Sequence, residues 1–332
     1  MAADRTRYTL CKGAGFVRGR VMRSGDLAPT VFTTVGLRDA CRVELWEEHN
    51  ATALIGLEVR APEPLQATEV NVQLPKVHLA RVVGSAHVVE RTARVIGRSP
   101  AEAVAVCVSL RGDSWFRHPG GTRSLRAGTA VVYETDRPYA RGFARGLEEL
   151  VVKLPRQAIG ARAGQLTLPS PLTYGQDDPY VRALAHIVGG ATQTGRAVAA
   201  DESTVLDIVT ALAAGRNVAC AVAHRAAARA FIEEHLTDPG LGAEQVAAAI
   251  GISERQLSRV FAADGISVPR HILERRLQLA RALLSSTARA ERASTVAEIA
   301  GRCGFTSATY FSHAFRRRFA ERAGDLRRQA ST

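Results

Sequence analysis

Between Thr30 and about Gln157 the chain alternates short apolar runs with turn residues: ATALIGLEV, VHLARVVG, HVVERTARVIG, AVAVCVSLRGD, AVVYETDRP and LEELVVKLP. Runs of this length and spacing predict strands of a sandwich or barrel rather than βαβ units. From Gln157 to about His224 the apolar positions take up a helical period, in PYVRALAHIVGG and DESTVLDIVTALAAG, on either side of a polar GGATQTGRA loop. Asp201 is placed to cap the second of these helices, with Glu202 in its first turn. From about Arg225 onward the pattern is helical, with two short interruptions.

Inside that last stretch one local pattern is written twice. The alanine-rich helix GAEQVAAAI (242–250) runs into Gly251, at a helix end that favours a residue tolerant of positive φ. In AIGISERQLSRVF (249–261) Ser253 then caps a new helix, where Leu257, Val260 and Phe261 fall at i, i+3 and i+4 as one buried stripe. Ala247, four residues before the glycine, leaves room for two helices to cross at close range. In RCGFTSATYFSHAF (302–315) Gly304 repeats Gly251, and Ile299 and Ala300 repeat Val246 and Ala247. Phe311, Ala314 and Phe315 repeat the stripe; the turn is one residue longer, with Thr306 or Ser307 as its cap. Each copy is a helix-turn-helix pattern, whose second helix enters the major groove of DNA.

At 100° per residue, the faces opposite the stripes present Arg255, Ser258, Arg259 and Ala262 in the first copy and Thr309, Ser312, His313 and Arg316 in the second. Arginine pairs bidentately with guanine, and serine or threonine serves base or phosphate. Between the copies, VPRHILERRLQLARALL (268–284) reads as one helix about 25 Å long, with Pro269 in its first turn. Its stripe is Ile272, Leu273, Leu277, Ala280 and Leu284. A rod of that length can set two reading helices in successive major grooves, about 34 Å apart, on one double-stranded DNA.

Length and charge sharpen this division. A chain of 332 residues is expected to form two or three domains, and the pattern divides it at 1–160, 161–224 and 225–332. The net charge is +12, with lysine at positions 12, 76 and 153 alone. Residues 225–332 hold 17 Arg against 11 Asp and Glu, twice the positive density of the rest. That balance suits a polyanion partner, although an arginine-biased solvated surface would give it too; the spacing of the motifs decides between them. No run of about 18 apolar residues predicts a membrane span, and MAADRTRYTLCKGAGFVRGR lacks the apolar core of a secretory signal. A cytoplasmic protein is expected, its five dispersed cysteines reduced and mostly buried.

The stretch 225–319 resembles the DNA-binding domain of the AraC/XylS family of transcriptional regulators, in IEEHLTDPGL, VAAAIGISERQLSRVF, GISVPRHILERRLQLARALL and VAEIAGRCGFTSATYFSHAFRRRF. The resemblance implies that Arg255, Ser258 and Arg259 face bases from the first reading helix. In the second, Ala308, Thr309, Ser312 and His313 do so, with Arg316 beside them. Two departures stand out. The family usually places a glycine, then Ser-Pro and an aromatic residue, after the second reading helix, where this chain has FAERAGDLRRQ. Its SSTARAERAST connector is also a few residues longer.

VSLRGDSWFRHPGGTRSLRAGTAVVYETDRPYARGF resembles the cupin-like sensor domain that precedes such DNA-binding domains. The fold class implied is α+β and multidomain: a cupin-like β-barrel, a helical linker, and an all-α domain with two helix-turn-helix units. Trp115, Phe116, Tyr133 and Arg137 are candidates to line a small-molecule effector pocket; alternatively Trp115 and Tyr133 pack and Arg137 forms a structural ion pair. The resemblance further implies a homodimer, for which the helical zone 178–215 offers an apolar seam, and RNA polymerase as partner if the protein is an activator. The barrel could instead only dimerise or bind a protein. A metal-cupin enzyme needs clustered His and carboxylate ligands, whereas His49, His78, His87 and His118 are scattered without an HxH pair. No metal, cofactor or catalytic activity is therefore expected.

Overall fold

A computed structural model describes residues 29–163, 167–194, 198, 200–215, 221–285 and 294–329. The chain forms two compact units, Met1–Ala223 and His224–Thr332.

The first unit is built on two antiparallel sheets. One has seven strands in the order β1 (Thr30–Thr33), β3 (Ala67–Gln73), β4 (His78–Gly84), β11 (Leu147–Pro155), β6 (Ala103–Arg111), β9 (Ala130–Glu134) and β12 (Leu172–Tyr174). The other has five, in the order β2 (Glu58–Arg60), β5 (His87–Arg91), β10 (Tyr139–Phe143), β7 (Ser114–His118) and β8 (Gly121–Leu125). Period-two alternation sends Ala80 and Val82, Ala105 and Cys107, Val131 and Tyr133, and Tyr139 and Phe143 into one core, which Trp46 joins. The arrangement is barrel-like, but the sheets do not close on each other.

Two apolar runs divide differently from the strand pattern. ATALIGLEV begins as the end of helix α1 (Asp39–Ala53) and reaches β2 only at Glu58. This helix buries just Cys41, Trp46 and Asn50 among the charged residues around them, so its period is faint in the sequence. HVVERTARVIG is β5 followed by α2 (Ala93–Arg98): Thr92 Oγ1 accepts a hydrogen bond from Val95 N and starts a helix inside the run.

The segment between the strands and the basic third packs with the first unit. After α3 (Arg156–Ala163), β12 extends the larger sheet by pairing with β9. Helix α4 (Pro179–Ala191) lies on β4 and β11, and α5 (Glu202–Ala213) packs on α3 and β9. Asp201 caps α5 by accepting from Thr204 N at 2.9 Å, and Glu202 accepts the backbone N–H groups of Lys76 and Val77. Eight of the twelve α5 residues are buried. The apolar faces expected to form a dimer seam are thus turned onto the protein's own sheet.

Cysteine chemistry also differs from expectation at one position. Cys107 and Cys303 are free and buried, and burial pushes both thiols up to about 11. Cys41, however, is disulfide-bonded. Cys11 and Cys220 lie outside the described residues.

The second unit is helical: α6 (Ala221–Glu234), α7 (Ala243–Ile250), α8 (Glu254–Ala262), α9 (Val268–Leu284), α10 (Val296–Arg302), α11 (Ala308–Phe319) and α12 (Ala323–Gln329). Helix α9 is its spine, packing against α8 on one side of the motif pair and α10, α11 and α12 on the other. Its Leu277, Ala280 and Leu284 join Ile299, Ala300, Phe311 and Phe315 in a single core.

Candidate nucleic-acid interface

Each reading helix is positioned by a short turn whose backbone bonds recur almost atom for atom. Gly251 has φ +72° and donates to Ala248 O, while Ile252 N reaches back to Ala247 O at 3.1 Å. Gly304 has φ +81° and donates to Gly301 O, while Phe305 N reaches back to Ala300 O, also at 3.1 Å. Ser253 Oγ then accepts from Gln256 N, and Ser307 Oγ from Tyr310 N, both at 3.2 Å. Ser307 rather than Thr306 is therefore the second cap. Ala247 and Ala300 are 2% and 1% exposed, so neither crossing has space for a larger side chain.

Because the two serines cap equivalently, they fix a common register. The fourth, seventh and eighth helical positions are Leu257, Val260 and Phe261 in α8 and Phe311, Ala314 and Phe315 in α11, all buried. On the opposite face the second, fifth, sixth and ninth positions are Arg255, Ser258, Arg259 and Ala262 in one helix. They are Thr309, Ser312, His313 and Arg316 in the other, and Ala308 opens α11 where Glu254 opens α8. Every one of these residues is exposed.

Two sets of arginines in the unit differ in their partners. Arg225 and Arg229 pair with Asp264 at 2.7 and 2.8 Å, Arg275 forks onto Glu233, and Arg318 meets Glu274 at 2.7 Å. Arg276 donates to the carbonyls of Leu236 and Asp238. These groups tie helices together. Arg255, Arg259, Arg316 and Arg317 have no ion pair or side-chain hydrogen bond among the described residues, so their guanidinium groups point into solvent uncommitted. Tyr310 is 54% exposed beside them; the helical wheel missed it because it borders the buried stripe rather than opposing it.

In the first unit the four candidate pocket residues separate. Phe116, Tyr133 and Arg137 line a cavity of about 190 Å³, together with His118, Tyr139 and the segment 168–171. The rings of Phe116 and Tyr139 stack with centroids 5.3 Å apart, and Tyr133 stands edge-on to Tyr139 at 4.9 Å. Arg137 Nε donates to Glu134 Oε2 at 2.9 Å, as an ion pair. Trp115 is not among the lining residues: it faces outward on β7, so close over Gly142 that a Cβ there would sit 2.2 Å from its ring. Strand alternation carries the signal, since Phe116 and Trp115 must point to opposite faces. The same alternation buries Arg141, which forks onto Glu149 and contacts the Cys107 sulfur at 3.2 Å inside the core. Among the described residues no group of three or more His, Cys, Asp or Glu side chains is arranged to hold a metal ion, and no helix is long and apolar enough to cross a membrane.

Comparison with known proteins matches residues 48–215 to an AraC-binding-like domain and residues 246–329 to a helix-turn-helix domain. The transcriptional activator NphR of Rhodococcus sp is 24% identical over 273 residues, spanning 76% of this chain and 78% of that protein. The transcriptional activator RhrA of Rhizobium meliloti (strain 1021) is 33% identical over 100 residues, 30% of this chain and 31% of its own length. Among solved structures, the AraC-like transcriptional activator CuxR is 19% identical with a TM-score of 0.48, covering 82% of this chain and all of that one.

Proposed function

The chain belongs to the AraC-like family of DNA-binding transcriptional regulators, and on that premise we propose that α8 and α11 read successive major-groove windows of one operator. The supporting observation is the pair of identically capped turns, each presenting an exposed face with uncommitted polar or cationic groups. Arg255, Ser258 and Arg259 face bases in one window, and Ala308, Thr309, Ser312 and His313 in the other. Arg316, a turn further from the α11 N-terminus, holds phosphate. The relatives' description as activators makes activation, with RNA polymerase as partner, the proposed outcome of binding.

Binding of the full chain to its own upstream DNA and to random duplex, across a salt series, tests this. Affinity for both should fall steeply with salt, because phosphate contacts release counterions. Arg259→Ala should weaken specific binding by roughly 1–3 kcal/mol and relax preference at one position. Equal affinity for upstream and random DNA at physiological salt would remove sequence reading from the proposal.

The aromatic cavity at Phe116, Tyr133 and Arg137 supports a small-molecule effector as the input signal. Calorimetry of the full chain against small aromatic and aliphatic compounds, with Phe116→Ala as control, tests that input. A homodimer stays in the proposal through a surface other than α4 and α5, whose apolar faces are already covered; sedimentation of the full chain reads it.

A further inference from the structure

The common register of the reading helices allows their base chemistry to be compared position by position. At the second and sixth positions α8 carries Arg255 and Arg259, and α11 carries Thr309 and His313. The two arginines are exposed, uncommitted and one turn apart. Four residues of helix rise about 6 Å, close to two base-pair steps at about 3.4 Å each. Each guanidinium fork matches the O6 and N7 acceptors of guanine. Glu254, at the first position, is an acceptor suited to cytosine N4.

Helix α11 offers different chemistry in the same places. Ala308 and Thr309 put methyl groups at the first two positions, and the thymine C5-methyl is the base-edge group that apolar contact recognises. Ser312 donates its hydroxyl proton to Ala308 O at 2.9 Å, so it meets DNA as an acceptor, suited to the adenine N6 amino group as well as to cytosine N4. Its long cation, Arg316, stands two turns along the helix, beyond the end that usually contacts bases.

We propose that the operator is chemically asymmetric: α8 selects two G·C pairs about two base steps apart through Arg255 and Arg259, and α11 selects A·T pairs through thymine methyl contacts with Ala308 and Thr309. The asymmetry rests on the assignment of these side chains to bases, and the experiment separates the two.

Sites are selected from a random duplex pool by the full chain and by its Arg255→Ala and Arg259→Ala variants. Affinities are then measured on the selected site with 7-deazaguanine for guanine, which lacks N7, and deoxyuridine for thymine, which lacks the methyl. Each alanine variant should lose preference at one guanine, and 7-deazaguanine at that position should weaken wild-type binding about tenfold. Deoxyuridine in the other window should weaken it roughly fourfold, the worth of one buried methyl. Loss of preference at A·T pairs in the Arg255→Ala and Arg259→Ala variants, or indifference to deoxyuridine, would overturn the asymmetry and leave base reading intact. Unchanged base preferences in both variants would overturn the assignment to bases, and the asymmetry with it. Both arginines are exposed, and retained helical circular dichroism and salt-dependent binding to random DNA certify the variants as folded.

Discussion

The two reading modules share a skeleton and differ in almost everything attached to it. Backbone bonds at the glycine, capping serine and buried stripe recur in both, with one more residue between glycine and serine in the second. The helix leading into the first turn, α7, starts at Gly242 with no side-chain cap. Its counterpart α10 has a full capping box, in which Thr295 and Glu298 satisfy each other's backbone N–H groups. In the first module Phe261 is buried beside Leu257 and Val260 and meets the His271 ring edge-on at 5.5 Å. The second sets Phe305, Phe311, Phe315 and Phe319 in a chain of edge-on and tilted rings with centroids about 5 Å apart. The lesson is that the motif constrains what makes the turn and leaves the outward face, and even the composition of the core, free to diverge.

The equivalence of the cores is broken most directly by removing a ring from each. Phe261 and Phe311 are both 0% exposed, so Phe261→Ala and Phe311→Ala should each cost about 3–5 kcal/mol in denaturant unfolding. A difference beyond about 2 kcal/mol would mean that one module leans on its neighbours far more than the other.

The glycines should separate the modules. A Cβ at Gly251 would meet nothing within 4 Å, so Gly251→Ala carries only the strain of positive φ, about 1 kcal/mol. At Gly304 the same atom would lie 2.9 Å from Arg276 Nε and 3.0 Å from Leu236 O. Gly304→Ala should therefore cost roughly 2–4 kcal/mol, crowding added to strain. Similar losses on unfolding would show that Arg276 moves aside freely.

The caps should again behave alike: Ser253→Ala and Ser307→Ala each lose about 1 kcal/mol, visible as faster amide exchange in the first turn of α8 or α11. The smallest effect belongs to the second module alone. Ala320 ends α11 in the left-handed conformation, φ +56°, at the place where the resemblance leads one to expect glycine. Ala320→Gly relieves that strain and should stabilise the unit by about 0.5–1 kcal/mol after the added flexibility of the unfolded chain is counted. A destabilised Ala320→Gly protein would show that the alanine methyl is held by packing. Helix α12 forms after this junction all the same, with Ala323 buried against the second core.

What could be read in advance was local. A cap, a left-handed glycine and a stripe at i, i+3 and i+4 are chemical facts within some fifteen residues, so Gly251, Ser253, Gly304 and both stripes were legible, as was α9 to its end residues. Strand alternation was equally local, and it places Phe116 and Tyr133 on the inner face.

What the tertiary structure decided depends on partners far away in sequence. Nothing near Arg225, Arg275 or Arg318 distinguishes them from Arg255 or Arg259; Asp264, Glu233 and Glu274, about 40 residues distant, commit the first three, while Arg255 and Arg259 stay exposed and uncommitted. The helices α4 and α5 carry an apolar face that sequence alone could assign to a second copy, and the sheet and helices of the same unit take it instead. A periodic pattern specifies that a face must be buried, because exposing it to water is unfavourable, but the identity of the surface that buries it is fixed only when the whole chain has folded.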